Sequence, residues 1–279
     1  MAVSVLILTL NEEKNLSRCL QAARRVASEM LVIDDFSSDS TCAVAEGHGV
    51  SVLKHRFASF AVQRNWAMDN GHIHEDWVLH LDADEIVTPE LAEEVREAIA
   101  SAPPDTAGFL LSYKTMLNGR WLKHSSAFPV WVLRLVRRGR VRYTERGHGE
   151  GFEADGPIGR LLEPFLHYNF GKGMAEWLDK HNRYSTNEAR ACLSELRGRG
   201  MDWEGLTSRD PVRRRMALKQ LSFRLPLRPW LKFMYMYVLR MGFLDGAPGL
   251  TYCTLQAIYE YMICLKIKEL KRHEKGLPV

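Results

Sequence analysis

Four apolar runs within residues 3–81, each parted from the next by a segment of helical spacing, constrain the fold of this chain more than any other feature. Strands buried on both faces by crossover helices read as near-continuous apolar runs, so this alternation predicts parallel βαβ units. Val3 to Thr9 is the first strand. Asn11 stands where it can cap a following helix, in which Leu16, Leu20, Ala23 and Ala27 recur on one face. Met30 to Ile33 is the second strand and runs into the polar loop Asp34-Asp35-Phe36-Ser37-Ser38-Asp39-Ser40-Thr41, which opens a short helix to Glu46. A third strand over Val50 to Lys54, a helix over about 61–69, a fourth strand over Trp77 to Leu81 and an amphipathic helix over 89–100 with Pro89 in its first turn complete the pattern.

Beyond residue 100 the apolar segments shorten. Gly108 to Met116, Trp131 to Val136 and Val141 to Tyr143 are expected as strands added beside the parallel core, which makes the sheet mixed. A polar helix is expected over 174–199. Pro226 and Pro229 mark a boundary, after which 230–243 and 250–270 have the pattern of two helices, with Gly242, Gly246 and Gly249 in the turn between them.

With 46% apolar and 26% charged residues the composition is that of an ordinary globular protein. Cys19, Cys42, Cys192, Cys253 and Cys264 are scattered and form no Cys-x-x-Cys pair, so neither a disulfide framework nor a zinc site is read from them. The strand-like run after Met1 has no basic leader and no small-residue cleavage site, so a secretory signal is not expected and the chain is read as cytoplasmic. Lys232, Arg240 and Glu260 interrupt the apolar stretches near the C-terminus, which argues against a spanning helix but not against contact with a membrane surface. The net charge of +4 is unevenly placed, because residues 197–240 hold eleven Lys and Arg against three Asp and Glu. Such a segment suits nucleic acid, phospholipid head groups or an anionic glycan, or is simply a solvated charged face.

Acidic or amide clusters follow three of the predicted strands: Asn11-Glu12 after the first, Asp34-Asp35 after the second, and Asp82 with Asp84 after the fourth. Ligands of open α/β sheets bind beyond the strand carboxyl ends, so the clusters are expected to line one crevice. Two carboxylates one residue apart suit a divalent metal that in turn holds a phosphate; the alternative is an acidic turn before the helix at Pro89. No Gly-x-Gly-x-x-Gly follows the first strand and no Gly-Lys-Ser/Thr loop exists, which removes the usual glycine cradles for phosphate. Positive charge must then come from elsewhere. A metal on Asp82 and Asp84 would supply it and make a diphosphate a better leaving group.

Thr9-Leu10-Asn11-Glu12-Glu13, the segment from Val32 to Thr41 and Asp82-Ala83-Asp84 resemble three motifs of the family 2 glycosyltransferases. The resemblance implies an α/β, three-layer nucleotide-sugar-transferase fold of the GT-A type, with a mixed, mainly parallel central sheet and a helical C-terminal extension. It implies nucleotide binding by Thr9, Leu10, Asn11, Glu12, Asp34, Asp35 and Asp82, with Asp34 supporting its loop, and a donor-facing segment Gln63-Arg64-Asn65. Gln63 and Asn65 equally suit a surface helix, whereas Arg64 can reach a phosphate bidentately. Arg134, Arg137 and Arg142, Gly147-His148-Gly149-Glu150, Leu166-His167-Tyr168 and Gly242-Phe243-Leu244-Asp245-Gly246 with Gly249-Leu250 extend the resemblance to the bacterial branch that includes lipopolysaccharide-core β-1,4-glucosyltransferases. One departure is Gly149, which separates His148 from Glu150 where that branch has His directly followed by Glu. An inverting transfer needs one carboxylate to take the acceptor proton, and Glu150 is the candidate, with Gly147, Gly149 and Gly151 allowing close approach and loop movement. His167 is the candidate for a further metal or diphosphate contact, the alternative being a packed histidine bonded to a carbonyl; His148 is a third ligand or a loop residue, the loop being favoured.

The expected organisation is a catalytic domain over 1–170, its nucleotide-binding half over 1–100 and its acceptor-side half over 101–170, then a helical region over 171–279. The expected donor is a UDP-sugar, uridine being favoured by the resemblance alone, with glucose or a related hexose as the sugar and Mg2+ or Mn2+ as the cofactor. The expected acceptor is a lipopolysaccharide-core or other cell-surface glycan or glycolipid, and nucleic acid is not an expected partner. Trp230, Phe233, Met234, Tyr237 and Met241, with Arg228, Lys232 and Arg240 nearby, suit a peripheral contact with the cytoplasmic face of a membrane, or a helix packed on the catalytic domain or on a second subunit of an oligomer. Three readings compete. An aspartate-nucleophile phosphatase would use Asp82 but leaves the three preceding βα units without a role; a nucleotidyltransferase would carry glycine in the Leu10 to Glu13 loop, which has none; a binding protein on the same scaffold would catalyse nothing.

Overall fold

Val3–Thr9 forms β1, and all seven of its residues are buried, which requires helices on both faces of the sheet. The computed structural model describes residues 2–146, 149–198, 200–222, 225 and 227–278. After β1 come α1 (Leu16–Ala23), β2 (Ala27–Asp34), α2 (Thr41–Gly47), β3 (Ser51–Lys54), α3 (Phe60–Asn70), β4 (Trp77–Asp82), β5 (Glu85–Ile86) and α4 (Pro89–Ser101). The chain continues with β6 (Gly108–Leu117), β7 (Arg120–Trp121), β8 (Trp131–Arg137), β9 (Val141–Arg146), β10 (Gly149–Ala154), β11 (Ile158–Arg160) and β12 (Phe165–His167). The remaining α-helices are α5 (Met174–Gly198), α6 (Pro211–Ser222), α7 (Arg228–Met234) and α8 (Gly246–Glu274).

Alternation along β1 sorts the core into two halves. Val3, Val5 and Ile7 join Leu16 and Leu20 of α1 and Leu91, Val95 and Ile99 of α4 on one face. Leu6 and Leu8 join Ala61 and Ala67 of α3, with Val78 and Tyr143, on the other. The result is a three-layer sandwich, and the main sheet runs β3-β2-β1-β4-β8-β6-β12-β5. Strands β1 to β4 are mutually parallel, whereas β8 is antiparallel to both β4 and β6. The mixed, mainly parallel sheet expected from the sequence is present, while β9 and β10 pair with each other in a separate two-stranded sheet. Register sets the function-bearing ends level: Thr9 lies opposite Asp34, and Leu8 opposite Asp82.

Several local expectations change. Asn11 does not cap α1, which starts four residues after Glu12; Asn11 has φ 53° and its side-chain oxygen accepts the Ser38 N–H. Ala27 opens β2 instead of closing α1, because Val26 N–H bonds back to Ala23 and ends the helix. The helix expected over 230–243 is broken: α7 ends at Met234, a π turn runs to Leu239, and Met241 sits at φ 58° before a 3-10 turn over Gly242–Asp245. Strands β5, β10, β11 and β12 had no periodic signal in two to six residues.

The chain divides into two compact units, Met1–Met116 with Ala127–Lys172, and Leu117–Ser126 with Gly173–Val279. The second is helical and includes a segment from the middle of the sequence. Within it Ala189 and Cys192 of α5 pack on Ile263 and Ile267 of α8, and Arg228 and Glu260 form an ion pair at 2.6 Å. Among the described residues no helix is long and apolar enough to cross a membrane.

The Gly242 to Gly246 turn is pinned by a buried carboxylate. Asp245 accepts the backbone N–H groups of His124 and Ser125, at 3.0 and 2.7 Å, and the Ser125 hydroxyl at 2.6 Å. A Cβ on Gly249 would lie 2.3 Å from the Gly242 carbonyl oxygen, so the turn and the start of α8 meet only through glycine. Removing the carboxylate strands several buried donors, so Asp245→Ala is expected to destabilise the helical unit by about 2–4 kcal/mol. Urea unfolding followed by circular dichroism checks this, and an unchanged midpoint would refute it.

Candidate active site

Beyond the carboxyl ends of β1, β2 and β4, the first unit gathers acidic side chains around two buried guanidiniums. Arg64 projects from α3 and is 0% exposed, and Arg134 projects from β8. Asp82 accepts one hydrogen bond on each oxygen, from Arg64 Nη2 at 3.0 Å and from Arg134 Nη2 at 2.8 Å. Arg134 Nη2 also donates to Glu85 Oε1 at 2.6 Å, and the other Glu85 oxygen accepts the Asp82 N–H at 2.9 Å. Glu150, on β10, accepts from Arg64 Nε at 2.7 Å, with Arg134 Nη1 3.7 Å from its second oxygen.

Burial and charge compete at this floor. Burial resists ionisation of Asp82, yet Arg134 and Arg64 outweigh it and hold the carboxyl well below the usual carboxylate range. Glu85, one guanidinium contact poorer, is governed by burial and pushed up to about 7. His80, enclosed in β4 edge-on to Tyr143, is kept neutral by burial, with Arg64 and Arg134 adding to the effect. Arg64 Nη1 and Arg134 Nε and Nη1 are buried with no hydrogen-bond partner among the described residues. Buried donors of that kind ask for an acceptor.

Asp84 lies beside this floor. His167 Nε2 is 3.4 Å from Asp84 Oδ2, and the two side chains are each 21% exposed. The antiparallel pairing of β12 with β5 sets His167 against Glu85, one residue on from Asp84. Burial lowers the affinity of His167 for a proton, but Asp84 prevails and raises it. A carboxylate and an imidazole in reach of one another fit a hard or borderline divalent cation. Asp82 does not join them as it stands, since both its oxygens serve guanidiniums, and among the described residues no three acidic, His or Cys side chains converge on one point.

The loops after β1 and β2 interlock. Asp34 is fully buried and accepts from the Thr9 hydroxyl at 2.9 Å and the Ser37 N–H at 2.8 Å, so it holds its loop. Asp35 accepts the Phe57 N–H at 3.1 Å, and Arg56 stacks over the exposed Phe36 ring at 4.6 Å. Glu12 meets Lys172 Nζ at 2.7 Å and Asn15 Nδ2 at 2.8 Å, while the Leu10 carbonyl accepts from Lys172 at 2.8 Å. Burial leads in raising the Glu12 carboxyl, against the pull of Lys172.

Of the Gln63-Arg64-Asn65 segment, only Arg64 enters the crevice. Gln63 is buried on His55, bonding its ring and its carbonyl. Asn65 bonds the backbone of Tyr143 on β9 twice, N–H to side chain at 3.0 Å and side chain to C=O at 2.9 Å. Arg137 lies over Trp77 and Arg142 pairs with Asp69, both away from the floor. Glu150 stands on a paired strand, not on the free loop that its glycine neighbours suggested; Gly147 and His148 lie outside the described residues. Glu85 and Lys172 were missed: Glu85 looked like one more acid before a helix, and nothing around Lys172 except its flanking glycines set it apart.

Comparison with known proteins gives the family. The model of the family described as glycosyl transferase family 2 matches residues 4–160. The chain belongs to that family. Its fold is accordingly of the GT-A type, with the helical C-terminal part following. The glycosyltransferase is 28% identical to the lipopolysaccharide core biosynthesis glycosyltransferase LpsC of Rhizobium meliloti over 67% of this chain and 70% of that one. It is 22% identical to the uncharacterized glycosyltransferase RT0209 of Rickettsia typhi, over 99% and 89% respectively. Among solved structures, S. aureus TarS 1-349 in complex with UDP-GlcNAc is 16% identical at a TM-score of 0.43, covering 99% of this chain and 93% of that one.

Because Asn65 ties α3 to the hairpin that carries Glu150, Asn65→Ala is expected to cost about 1–2 kcal/mol of stability. It should also lower the transfer rate more than it weakens donor binding. Steady-state kinetics beside thermal unfolding measure both, and a change in donor affinity alone would contradict this.

Proposed function

We propose that this glycosyltransferase is a metal-dependent inverting hexosyltransferase that moves a sugar from a UDP-sugar to a cell-surface glycan or glycolipid, the lipopolysaccharide core being the class favoured by its likeness to LpsC. The observation that carries this reading is the shared floor: a partly exposed carboxylate, Glu150, held 2.7 Å from a buried arginine whose other nitrogen holds Asp82, with the Asp84 and His167 pair alongside. Inversion needs one base on the acceptor side and positive charge on the leaving-group side.

Glu150 takes the proton of the acceptor hydroxyl as that oxygen attacks the anomeric carbon. The bond from that carbon to the diphosphate breaks, and its electron pair leaves with UDP. Arg64 and Arg134 keep Glu150 oriented, and their unpartnered nitrogens offer fixed donors to diphosphate oxygens. Asp84 and His167 would hold the Mg2+ or Mn2+, which when bound supplies Lewis-acid charge to the diphosphate. Asp82 would serve by fixing both guanidiniums. Asn11, Glu12 and Asp35 line the nucleoside end, Thr9 and Asp34 holding the loops that present them. A phosphatase reading is disfavoured, because both oxygens of its required nucleophile, Asp82, already accept from arginine.

Thermal unfolding with UDP and GDP, each with and without Mn2+, tests the donor site. Stabilisation by UDP that needs metal and disappears in Asp84→Ala is expected; no response to either nucleotide would reject the assignment. Glu150→Gln is expected to keep UDP binding while transfer falls by about 10²–10⁴-fold, the usual worth of a general base. Near-normal turnover would place the base elsewhere. Trapping a phosphoryl group on Asp82 would overturn the transferase mechanism altogether.

A further inference from the structure

The helical unit holds an apolar surface at the break between α7 and α8. Leu239 is 76% exposed, Leu244 54%, and Met241 and Phe243 48% each, all within six residues. Leu227, Trp230 and Tyr235, in and before the preceding turns, are also exposed. These side chains do not belong to a loose loop. Asp245 buries its carboxylate on the His124 and Ser125 backbone, Arg240 Nη2 donates to the Ser126 carbonyl at 2.6 Å, and Phe243 meets Tyr237 edge-on at 6.2 Å. The turn is thus fixed with its apolar residues outward, at a place where a soluble surface would carry polar ones.

Charge indicates what covers it. The helical unit has twenty-one Lys and Arg against eleven Asp and Glu, whereas the catalytic unit has seventeen against twenty-three. An apolar wedge on a strongly cationic unit matches a surface that is anionic outside and apolar just beneath, which is an anionic phospholipid monolayer. No helix among the described residues can span, so the contact is interfacial.

We propose that the turn from Leu239 to Leu244, with Trp230 and Tyr235, is a docking wedge that inserts into the head-group boundary of an anionic membrane, the helical unit supplying the electrostatic attraction. This deepens the reading of a lipid-linked or surface glycan acceptor by naming the surface that holds the enzyme where such an acceptor lies.

The full chain is tested by co-sedimentation with vesicles of phosphatidylcholine alone or mixed with phosphatidylglycerol, at low and high salt, beside a variant carrying Leu239→Ser, Phe243→Ser and Leu244→Ser. These positions lie outside the buried core, and circular dichroism checks that the variant folds. Salt-sensitive binding to phosphatidylglycerol vesicles, weakened at least about ten-fold in the variant, is expected. No binding to the anionic vesicles, or equal binding by the variant, would overturn the proposal. So would a dimer in sedimentation equilibrium that the variant dissolves, since the turn would then join two copies. UDP stabilisation measured on the same samples reports the donor site separately, so failure of one reading is not mistaken for failure of the other.

Discussion

The whole arrangement depends on burying one strand from both sides. With all of β1 out of water, one side-chain row needs α1 and α4 and the other needs α3, and the helical crossovers α1, α2 and α3 make β1 to β4 parallel. Parallel strands end at the same edge. The level placement of Thr9, Asp34 and Asp82 is therefore a by-product of core formation, and the chain obtains a polar rim without having to build one.

What that rim holds is costly in isolation. Two guanidiniums and three carboxylates lie wholly or partly out of water, and desolvation of each is offset only by the others. Each arginine touches more than one acid, so no member can leave without exposing a neighbour's charge. This explains the split in proton affinity between Asp82, with two cations, and Glu85, with one. It also explains why the surrounding packing must be rigid: a shift of an ångström or so would convert paired charges into bare ones.

How legible was this in the sequence? The parallel half was, because β1 and β4 are buried on both faces and read as continuous apolar runs, with α3 and α4 falling within one residue or so of expectation. The short strands β5 and β12 were not, since two or three residues carry no period, yet they bring His167 beside Asp84. Asp34 and Gln63 sit in motif-like segments but turn inward to hold loops, and no residue-type rule tells a scaffold carboxylate from a ligand-facing one. Arg134 was visible only through resemblance and Glu85 not at all, because their roles arise from partners about 50 residues apart in the chain, for Arg134 and Glu85 a separation of 49.

The Asn65 side chain imitates a neighbouring strand, giving β9 the same donor and acceptor that a sheet edge would. A helix is thereby welded to a ribbon. Arg64 rides on the helix next to that weld and Glu150 on the ribbon, so the contact that joins helix to ribbon also sets the spacing of cation and anion.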